Sequence, residues 1–283
     1  MPRGVPKSGQ RAARKSLKSM PTAAVFAFET DEQIDAKLKE RFEILEELAE
    51  SSTRGDVRSL IVSGPAGLGK SFTVEKILQE YDPTGFQSTF VKGYVRATGL
   101  FKMLYQHRDA GSVLVFDDAD SIFFDDVSLN LMKAACDSSK RRTISWMSEA
   151  KLEDADGDNI PRTFQFEGTI IFITNYDFDA MIDRGHKLAP HLTAMMSRSH
   201  YIDLAMKSKR DYYIRIRQVV EAGLLDDTGL TAVEQREILS FVDKNFNSLR
   251  ETSLRMVLKI AALRKTSASK FESMARVTCM VNR

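Results

Sequence analysis

The chain has 283 residues, of which 43% are hydrophobic and 28% are charged, and its formal net charge is +2. This composition can build one large or two smaller globular domains. It argues against a membrane protein, because no apolar run approaches the roughly 20 residues that cross a bilayer. The N-terminus lacks the apolar segment of a secretory signal, and the two cysteines indicate a reducing compartment, so we expect a soluble, cytoplasmic protein.

Residues 1–28 are predicted to form a basic, disordered arm. The cations of residues 1–20, which contain no acid, are Arg3, Lys7, Arg11, Arg14, Lys15 and Lys18. These six charges exceed the net charge of the whole chain, so the remainder is net acidic. Such an arm is suited to bind phosphate backbones. The alternative is a terminus that only increases solubility.

The α/β region is predicted over residues 29–207. Thr30 and Gln33 have the spacing of a capping box, and they precede a helix over 31–50. The predicted strands are 58–64, 87–93, 113–116, 169–175 and 200–204. The predicted helices between them are 70–80, 99–109 and 128–139. Short apolar strands that alternate with helices indicate a doubly wound parallel five-stranded sheet.

From about residue 208 the pattern changes to helices alone. Gly223 and Gly229 separate the helical segments, and Thr231 is placed to cap one of them. We therefore predict a small C-terminal helical lid domain over 208–283.

A phosphate-binding loop is predicted between the first strand and its helix. The segment GPAGLGKS follows the pattern G-x-x-x-x-G-K-[ST], in which backbone N–H groups and a helix N-terminus face phosphate oxygens. Lys70 would reach the β- and γ-phosphates of ATP, and Ser71 would bind Mg²⁺. The predicted nucleotide-binding residues are Gly64, Pro65, Ala66, Gly67, Leu68, Gly69, Lys70, Ser71 and Phe72.

Three aspartates follow the apolar strand VLVF. In P-loop enzymes an acid at the carboxyl end of a neighbouring strand holds the metal, and Asp117 matches this position. Asp118 can polarise the attacking water. Asp120 is interpreted as structural, because it or Ser121 could cap the next turn.

With these motifs in order, residues 30–265 resemble the AAA+ ATPases. The resemblance implies that Asn175, at the end of the fourth strand, is the sensor 1 residue that orients the lytic water. The alternative for Asn175 is a turn residue that ends the strand. The resemblance also implies a homo-oligomer, in this family a ring such as a hexamer.

Two further arginine roles follow from the resemblance. Arg198 matches a serine–arginine motif that supplies an arginine finger to the neighbouring subunit's nucleotide, with Arg184 as the weaker candidate. The alternative for Arg198 is a surface arginine that caps the adjacent helix. Arg255 matches the lid residue sensor 2 better than Arg250, although either could instead pair with acids of the lid.

The family pattern is altered at one position. Many AAA+ motors have Asp–Glu where this chain has Asp117–Asp118. The Asp–Asp form is similar to that of replication initiators and some helicase-loader relatives, so we expect slow, switch-like hydrolysis.

Two segments could contact a substrate. Tyr94 and Val95 are similar to the aromatic–aliphatic pair of pore loops, with Arg96 able to meet phosphates, but packing of Tyr94 beneath the following helix is slightly favoured. Residues 141–168 contain two alternating segments joined by a turn sequence, which predicts a β-hairpin insertion. Trp146 in this hairpin could stack on a base, but a packing role is favoured.

Three functions remain open from the sequence. The favoured one is an oligomeric ATPase that remodels or translocates nucleic acid or a nucleoprotein complex, in DNA replication or genome processing, as a small phage or bacterial accessory ATPase. The second is a ring that unfolds proteins through Tyr94. The third is an ATP-gated loader or binding module with slow turnover.

Overall fold

The strands of the sheet are short, apolar and mostly buried, as the sequence predicts. In the computed structural model, which describes residues 29–148, 151–154 and 156–281, seven strands are present. They are β1 (Ser59–Ser63), β2 (Ser88–Lys92), β3 (Val113–Asp117), β4 (Thr143–Ser145), β5 (Thr163–Gln165), β6 (Thr169–Thr174) and β7 (His200–Asp203). The predicted arm at 1–28 lies outside the described residues.

Five strands form one parallel sheet in the order β2-β3-β6-β1-β7. Successive side chains of a strand point to opposite faces, so both faces of this sheet carry apolar residues. In β3, Leu114 and Phe116 enter one core, whereas Val113 and Val115 enter the other. The doubly wound five-stranded α/β fold predicted from the sequence is therefore confirmed.

Helices cover both faces of the sheet and continue beyond it. They are α1 (Asp31–Thr53), α2 (Lys70–Tyr81), α3 (Ala97–Gln106), α4 (Asp126–Ala135), α5 (Phe178–Asp183), α6 (Ala189–Met196), α7 (Lys209–Val219), α8 (Ala232–Asn245), α9 (Leu254–Thr266) and α10 (Phe271–Cys279). Helices α1 and α2 pack on one face, and α3 to α6 pack on the other. No helix in the described part of the chain is long and apolar enough to cross a membrane.

Local signals in the sequence explain where several helices begin. Thr30 and Gln33 form the predicted capping box of α1, with each side chain bonded to the other's backbone N–H. Thr231 and Glu234 form a second box at α8. Helices α5, α6 and α10 were not predicted, because they are short or lack a clear apolar period.

Helix α1 belongs to two cores at once. Ile34 and Leu38 pack with the C-terminal helices, whereas Phe42, Leu45 and Ala49 pack against the sheet. The C-terminal helices thus share their core with the first two turns of α1, in addition to the residues after 207.

The insertion between α4 and β6 contains the predicted hairpin. Strands β4 and β5 pair antiparallel, with Ile144 opposite Phe164, and both side chains are buried. Each strand is only three residues long. The hairpin packs onto α4 and the core beneath it rather than extending freely.

Candidate functional site

The loop between β1 and α2 has the backbone that its glycines permit. Gly67 and Gly69 have positive φ values of 77° and 94°, a region that L side chains rarely adopt. Gly64 lies against Leu204, the residue after β7, and a Cβ atom on Gly64 would stand 3.0 Å from Cβ of Leu204. The side chain of Leu68 is buried in the core beneath the loop, which anchors it.

Lys70 is the first residue of α2 and only 5% of its surface is exposed. Its ammonium donates to the carbonyl oxygens of Gly64 (2.5 Å) and Pro65 (2.8 Å) and to Oδ1 of Asn175 (3.0 Å). Burial lowers the pKa of Lys70 to about 8, and the nearby Asp118 and Asp117 oppose this shift. The ammonium of Lys70 is therefore buried at the loop, with three hydrogen-bond acceptors around it.

Asp117 ends β3 and lies beside the hydroxyl of Ser71. Oγ of Ser71 donates to Oδ1 of Asp117 at 2.8 Å. The other carboxylate oxygen, Oδ2, is 3.3 Å from Nζ of Lys92. Two hard oxygen ligands in contact at a strand end are the donors that Mg²⁺ takes from P-loop proteins, so the residues present fit this metal.

Asp118 leaves the strand with an unusual backbone. Its φ of 54° is the one positive value outside glycine in the described residues, and such conformations concentrate at functional sites. The exposed carboxylate accepts a hydrogen bond from Nδ2 of Asn175 at 2.8 Å. Asn175 follows β6, the neighbouring strand, so Lys70, Asn175 and Asp118 form one continuous hydrogen-bonded chain.

Asp120 has a structural role, but the predicted cap is wrong. Its Oδ1 accepts from Oγ1 of Thr174 at 2.7 Å, and burial raises the pKa of Asp120. Ser121 instead bonds both backbone groups of Val95. The short helix that begins at Asp120 has no side-chain cap, and Asp125 caps the following α4.

The helical domain reaches the loop through the start of α9. Ser253 caps this helix, and the backbone N–H of Leu254 donates to the carbonyl of Gly67 at 2.9 Å. The next residue, Arg255, lines the cleft above the loop. Arg250 does not line this cleft, and its backbone is bonded to Cys279 near the C-terminus of the described chain.

These elements enclose a cleft of about 210 Å³ at the carboxyl ends of β3 and β6. The predicted site residues that line it are Ala66, Gly67, Gly69, Lys70, Ser71, Phe72, Asp117, Asp118, Asn175 and Arg255. A larger groove of about 1010 Å³ lies between α1, α2 and α7 and shares Gly69 and Phe72 with the cleft. The site is therefore open toward the helical domain.

Sequence reasoning missed two residues at the site. Lys92 ends β2, the strand next to β3, and its position near the end of the predicted strand 87–93 could have indicated it. Arg215 of α7 donates to the carbonyl of Leu68 and stacks on Phe42, with 3.2 Å between guanidinium carbon and ring centroid. Burial lowers the pKa of Arg215 to about 10. No linear signal pointed to this residue.

Arg198 lies away from the cleft formed by its own chain. It is half-buried, pairs with Asp137 at 3.6 Å and donates to the carbonyl of Ala194 at 2.8 Å. This backbone bond matches the predicted alternative of a cap on the preceding helix α6. Arg184, the other candidate, is exposed at the end of α5.

The residues predicted to contact a substrate differ in exposure. Tyr94 is 76% exposed, with the guanidinium of Arg96 6.0 Å from its ring centroid, so it does not pack beneath α3. Val95 is buried. Trp146 packs on Phe101, with 5.6 Å between ring centroids, which confirms the favoured packing role.

Several known proteins are similar to this chain, although no protein-family model matches it. A Holliday junction branch migration motor, RuvB of Thermotoga maritima, is 13% identical, with a TM-score of 0.46, over 88% of this chain and 70% of the RuvB chain. Trip13 of Rhizobiales is 12% identical, with a TM-score of 0.41, over 88% and 96% of the two chains. NtrX of Brucella abortus in complex with ATP is 12% identical, with a TM-score of 0.47, over 86% and 53%.

A curated relative is much closer in sequence. It is the phage T4 protein described as an uncharacterized 36.7 kDa protein in the nrdC-mobD intergenic region, 35% identical over 249 residues. The alignment covers 87% of this chain and 76% of the T4 protein. At this identity and coverage, the chain belongs to the same family as the phage T4 protein.

Proposed function

We propose that this protein is an AAA+ ATPase that hydrolyses Mg-ATP in the cleft between the sheet and the helical domain. The observation that carries the proposal is the hydrogen-bonded chain from Lys70 through Asn175 to Asp118, next to the Ser71–Asp117 pair. One cation, one amide and two acids thus converge where a phosphate-binding loop opens. This arrangement matches the roles that phosphoryl transfer needs.

Each side chain has a role in this proposal. The loop N–H groups and Lys70 bind the phosphates, and Ser71 and Asp117 hold Mg²⁺, which neutralises charge on the phosphate oxygens when bound. Asp118 accepts a proton from the attacking water, and Asn175 orients that water. Arg255 brings a positive charge from the lid to the cleft.

Arg198 is proposed to act on the nucleotide of a neighbouring subunit in a homo-oligomeric ring. Arg198 does not line the cleft of its own chain, which supports a role in trans rather than in cis. The partial burial of the guanidinium, with its Nε lacking a hydrogen-bond partner, is consistent with a side chain that changes partners on assembly.

The substrate we propose is nucleic acid or a nucleoprotein complex in phage or bacterial genome processing. The six cations of residues 1–20 support it, as does the exposed Tyr94 with Arg96 beside it, an aromatic–cation pair suited to bases and phosphates. The kinship with a phage T4 protein supports the phage setting.

Tyr94 also supports a second candidate function. An exposed aromatic residue on the loop after β2 could grip an unfolded polypeptide, which would make the protein an unfoldase. In a third candidate, assembly of an ATP-bound loader matters more than turnover, and the short side chain of Asp118 supports slow hydrolysis.

The test is an ATPase assay of the full chain with single-stranded DNA, duplex DNA, RNA and unfolded casein as separate additions. We expect stimulation by a nucleic acid, loss of that stimulation on deletion of residues 1–20, and steep weakening with salt. Stimulation by casein alone would favour the unfoldase. Absence of hydrolysis in wild type and in Asp118→Asn alike would contradict the ATPase proposal.

A further inference from the structure

Lys92 occupies a position that the functions above do not use. It is the last residue of β2 and the direct partner of Asp117 in the parallel β2–β3 register. The carboxyl ends of neighbouring parallel strands point the same way, so these two side chains emerge side by side. Nζ of Lys92 lies 3.3 Å from Oδ2 of Asp117.

The pair joins an exposed cation to a buried acid. The side chain of Asp117 is 7% exposed, whereas that of Lys92 is 56% exposed. A buried carboxylate requires compensation of its charge. Lys92 is the one cation within 4.0 Å of Asp117 among the described residues. Lys70 is close enough to interact electrostatically, but its ammonium donates to Gly64, Pro65 and Asn175 instead.

The two carboxylate oxygens of Asp117 thus have different partners. Oδ1 accepts from Ser71, the other residue that would hold Mg²⁺, and Oδ2 faces Lys92. A divalent cation bound by Ser71 and Asp117 would stand within a few ångströms of the ammonium of Lys92. Two positive centres at that separation repel each other.

We propose that Lys92 is an exchangeable counter-ion of Asp117, which competes with the divalent cation for this carboxylate and thereby sets the magnesium affinity of the site. The exposed, four-carbon stem of lysine allows its ammonium to leave Oδ2 when the metal binds. The ring of Phe90, whose centroid is 5.7 Å from Nζ, provides a cation–π contact for the ammonium when it leaves Oδ2. This inference rests on the proposed function, because it assumes that Ser71 and Asp117 hold Mg²⁺.

The test measures the coupling between magnesium and nucleotide in the full chain, without using turnover. The dissociation constant of a fluorescent ADP is determined in EDTA and over a series of Mg²⁺ concentrations. In Lys92→Gln, the half-saturating Mg²⁺ concentration should fall about three- to tenfold, as expected for loss of a partly exposed like charge. Lys92→Arg keeps the charge and should stay within about twofold of wild type.

Lys102→Gln is the matched control. Lys102 is an exposed lysine on α3 outside the cleft, and its neutralisation should leave the Mg²⁺ dependence unchanged. A second readout is the midpoint of thermal unfolding in EDTA without nucleotide. It should fall in Lys92→Gln, because Asp117 loses its counter-ion, and added Mg²⁺ should restore it more than in wild type.

The outcomes separate this inference from the proposed function. Nucleotide binding that responds to Mg²⁺ equally in wild type and Lys92→Gln would overturn the role of Lys92 and leave the ATPase proposal intact. Wild type that binds no nucleotide, or binds it equally with and without Mg²⁺, would overturn both.

Discussion

Asn175 donates its side-chain amide to the carboxylate of Asp118 at 2.8 Å, across the ends of two neighbouring strands. Its carbonyl oxygen accepts from Lys70 at 3.0 Å, so both ends of one amide are fixed. In Asn175→Ala both bonds are lost, and we expect kcat to fall about 10- to 100-fold, below the full contribution of a general base. The Kd for ATP should change by less than about threefold. Phosphate release and fluorescent-nucleotide titration measure the two quantities.

Asn247→Ala is the control for this change, because Asn247 is exposed in the helical domain away from the cleft. It should retain wild-type kcat. Equal losses in kcat and in nucleotide affinity in Asn175→Ala would show that Asn175 only supports the fold of the loop.

Lys70 predicts a pH dependence of nucleotide binding. Its pKa is lowered to about 8 by burial, so the ammonium that attracts phosphates is lost as the pH rises through 8. The affinity for ATP should weaken above about pH 8 and approach tenfold per pH unit. Titrations from pH 6.5 to 9.5 measure this, and Lys76→Gln should show the same profile as wild type.

The same group has the opposite effect on stability. Between about pH 8 and the ordinary value of 10.5, the folded state has released the Lys70 proton while the unfolded state still binds it. The free energy of unfolding should therefore rise with pH across this window through Lys70. Lys70→Met should lack this contribution in urea denaturation at several pH values. An identical slope in both proteins would contradict the lowered pKa.

Alanine substitutions at Gly67 and Gly55 can be compared to measure the effect of the contact between the loop and Ser253 on stability. Their φ values are 77° and 76°, but a Cβ atom on Gly67 would lie 2.6 Å from Cβ of Ser253, and one on Gly55 meets nothing within 4 Å. Both alanine variants pay the cost of positive φ, about 1 kcal/mol. Gly67→Ala should lose a further 1–3 kcal/mol, roughly, through overpacking at the lid. Equal urea midpoints for the two variants would show that Ser253 moves aside at no cost in stability.

Arg198 predicts complementation between two inactive proteins. Arg198→Ala should bind ATP with wild-type affinity but lose about 10³-fold or more in kcat, as removal of an arginine finger does. Mixed with Asp118→Asn, which lacks the base but retains Arg198, it should regain measurable activity in shared oligomers. Arg184→Ala serves as the comparison and should remain active alone. Failure of the mixture to recover, with both proteins assembled, would argue against action in trans.

Trp146 predicts an effect on stability rather than on ligand binding. It is partly buried and packs on Phe101 of the core beneath the hairpin, so Trp146→Ala should cost about 3 kcal/mol in unfolding free energy, the lower end of the range for Trp→Ala. Tyr94→Ala removes an exposed ring and should cost less than about 0.5 kcal/mol. If Trp146→Ala instead kept its stability and lost nucleic-acid affinity, the stacking role would be favoured.

Much of the fold could be predicted because its signals are local. The five parallel strands are short apolar runs, and the boxes at Thr30 and Thr231 depend on residues three positions apart. The place of Asp117 beside the loop followed from the P-loop pattern of an acid at the carboxyl end of a neighbouring strand. That of Asn175 followed from the resemblance to the AAA+ ATPases.

The missed parts depend on contacts between distant segments. Arg215 reaches the carbonyl of Leu68 across 147 positions in the chain, and Lys92 meets Asp117 only through strand register. The cap assigned to Asp120 failed for the same reason, because a better partner, Thr174, comes from the next strand. Short helices such as α5 offer too few turns for a periodic signal.

Helix α1 packs both against the C-terminal helices and against the sheet. Its first turns are fastened to the helical domain by Ile34 and Leu38, and by the pairing of Asp31 with Arg210 and of Asp35 with Arg217. Its last turns are fastened to the sheet. A rigid-body rotation of the C-terminal helices about residue 207 would require α1 to bend or the packing of Ile34 and Leu38 to be lost. Helix α1 thus connects the core of the C-terminal helices to the face of the sheet that α1 and α2 cover.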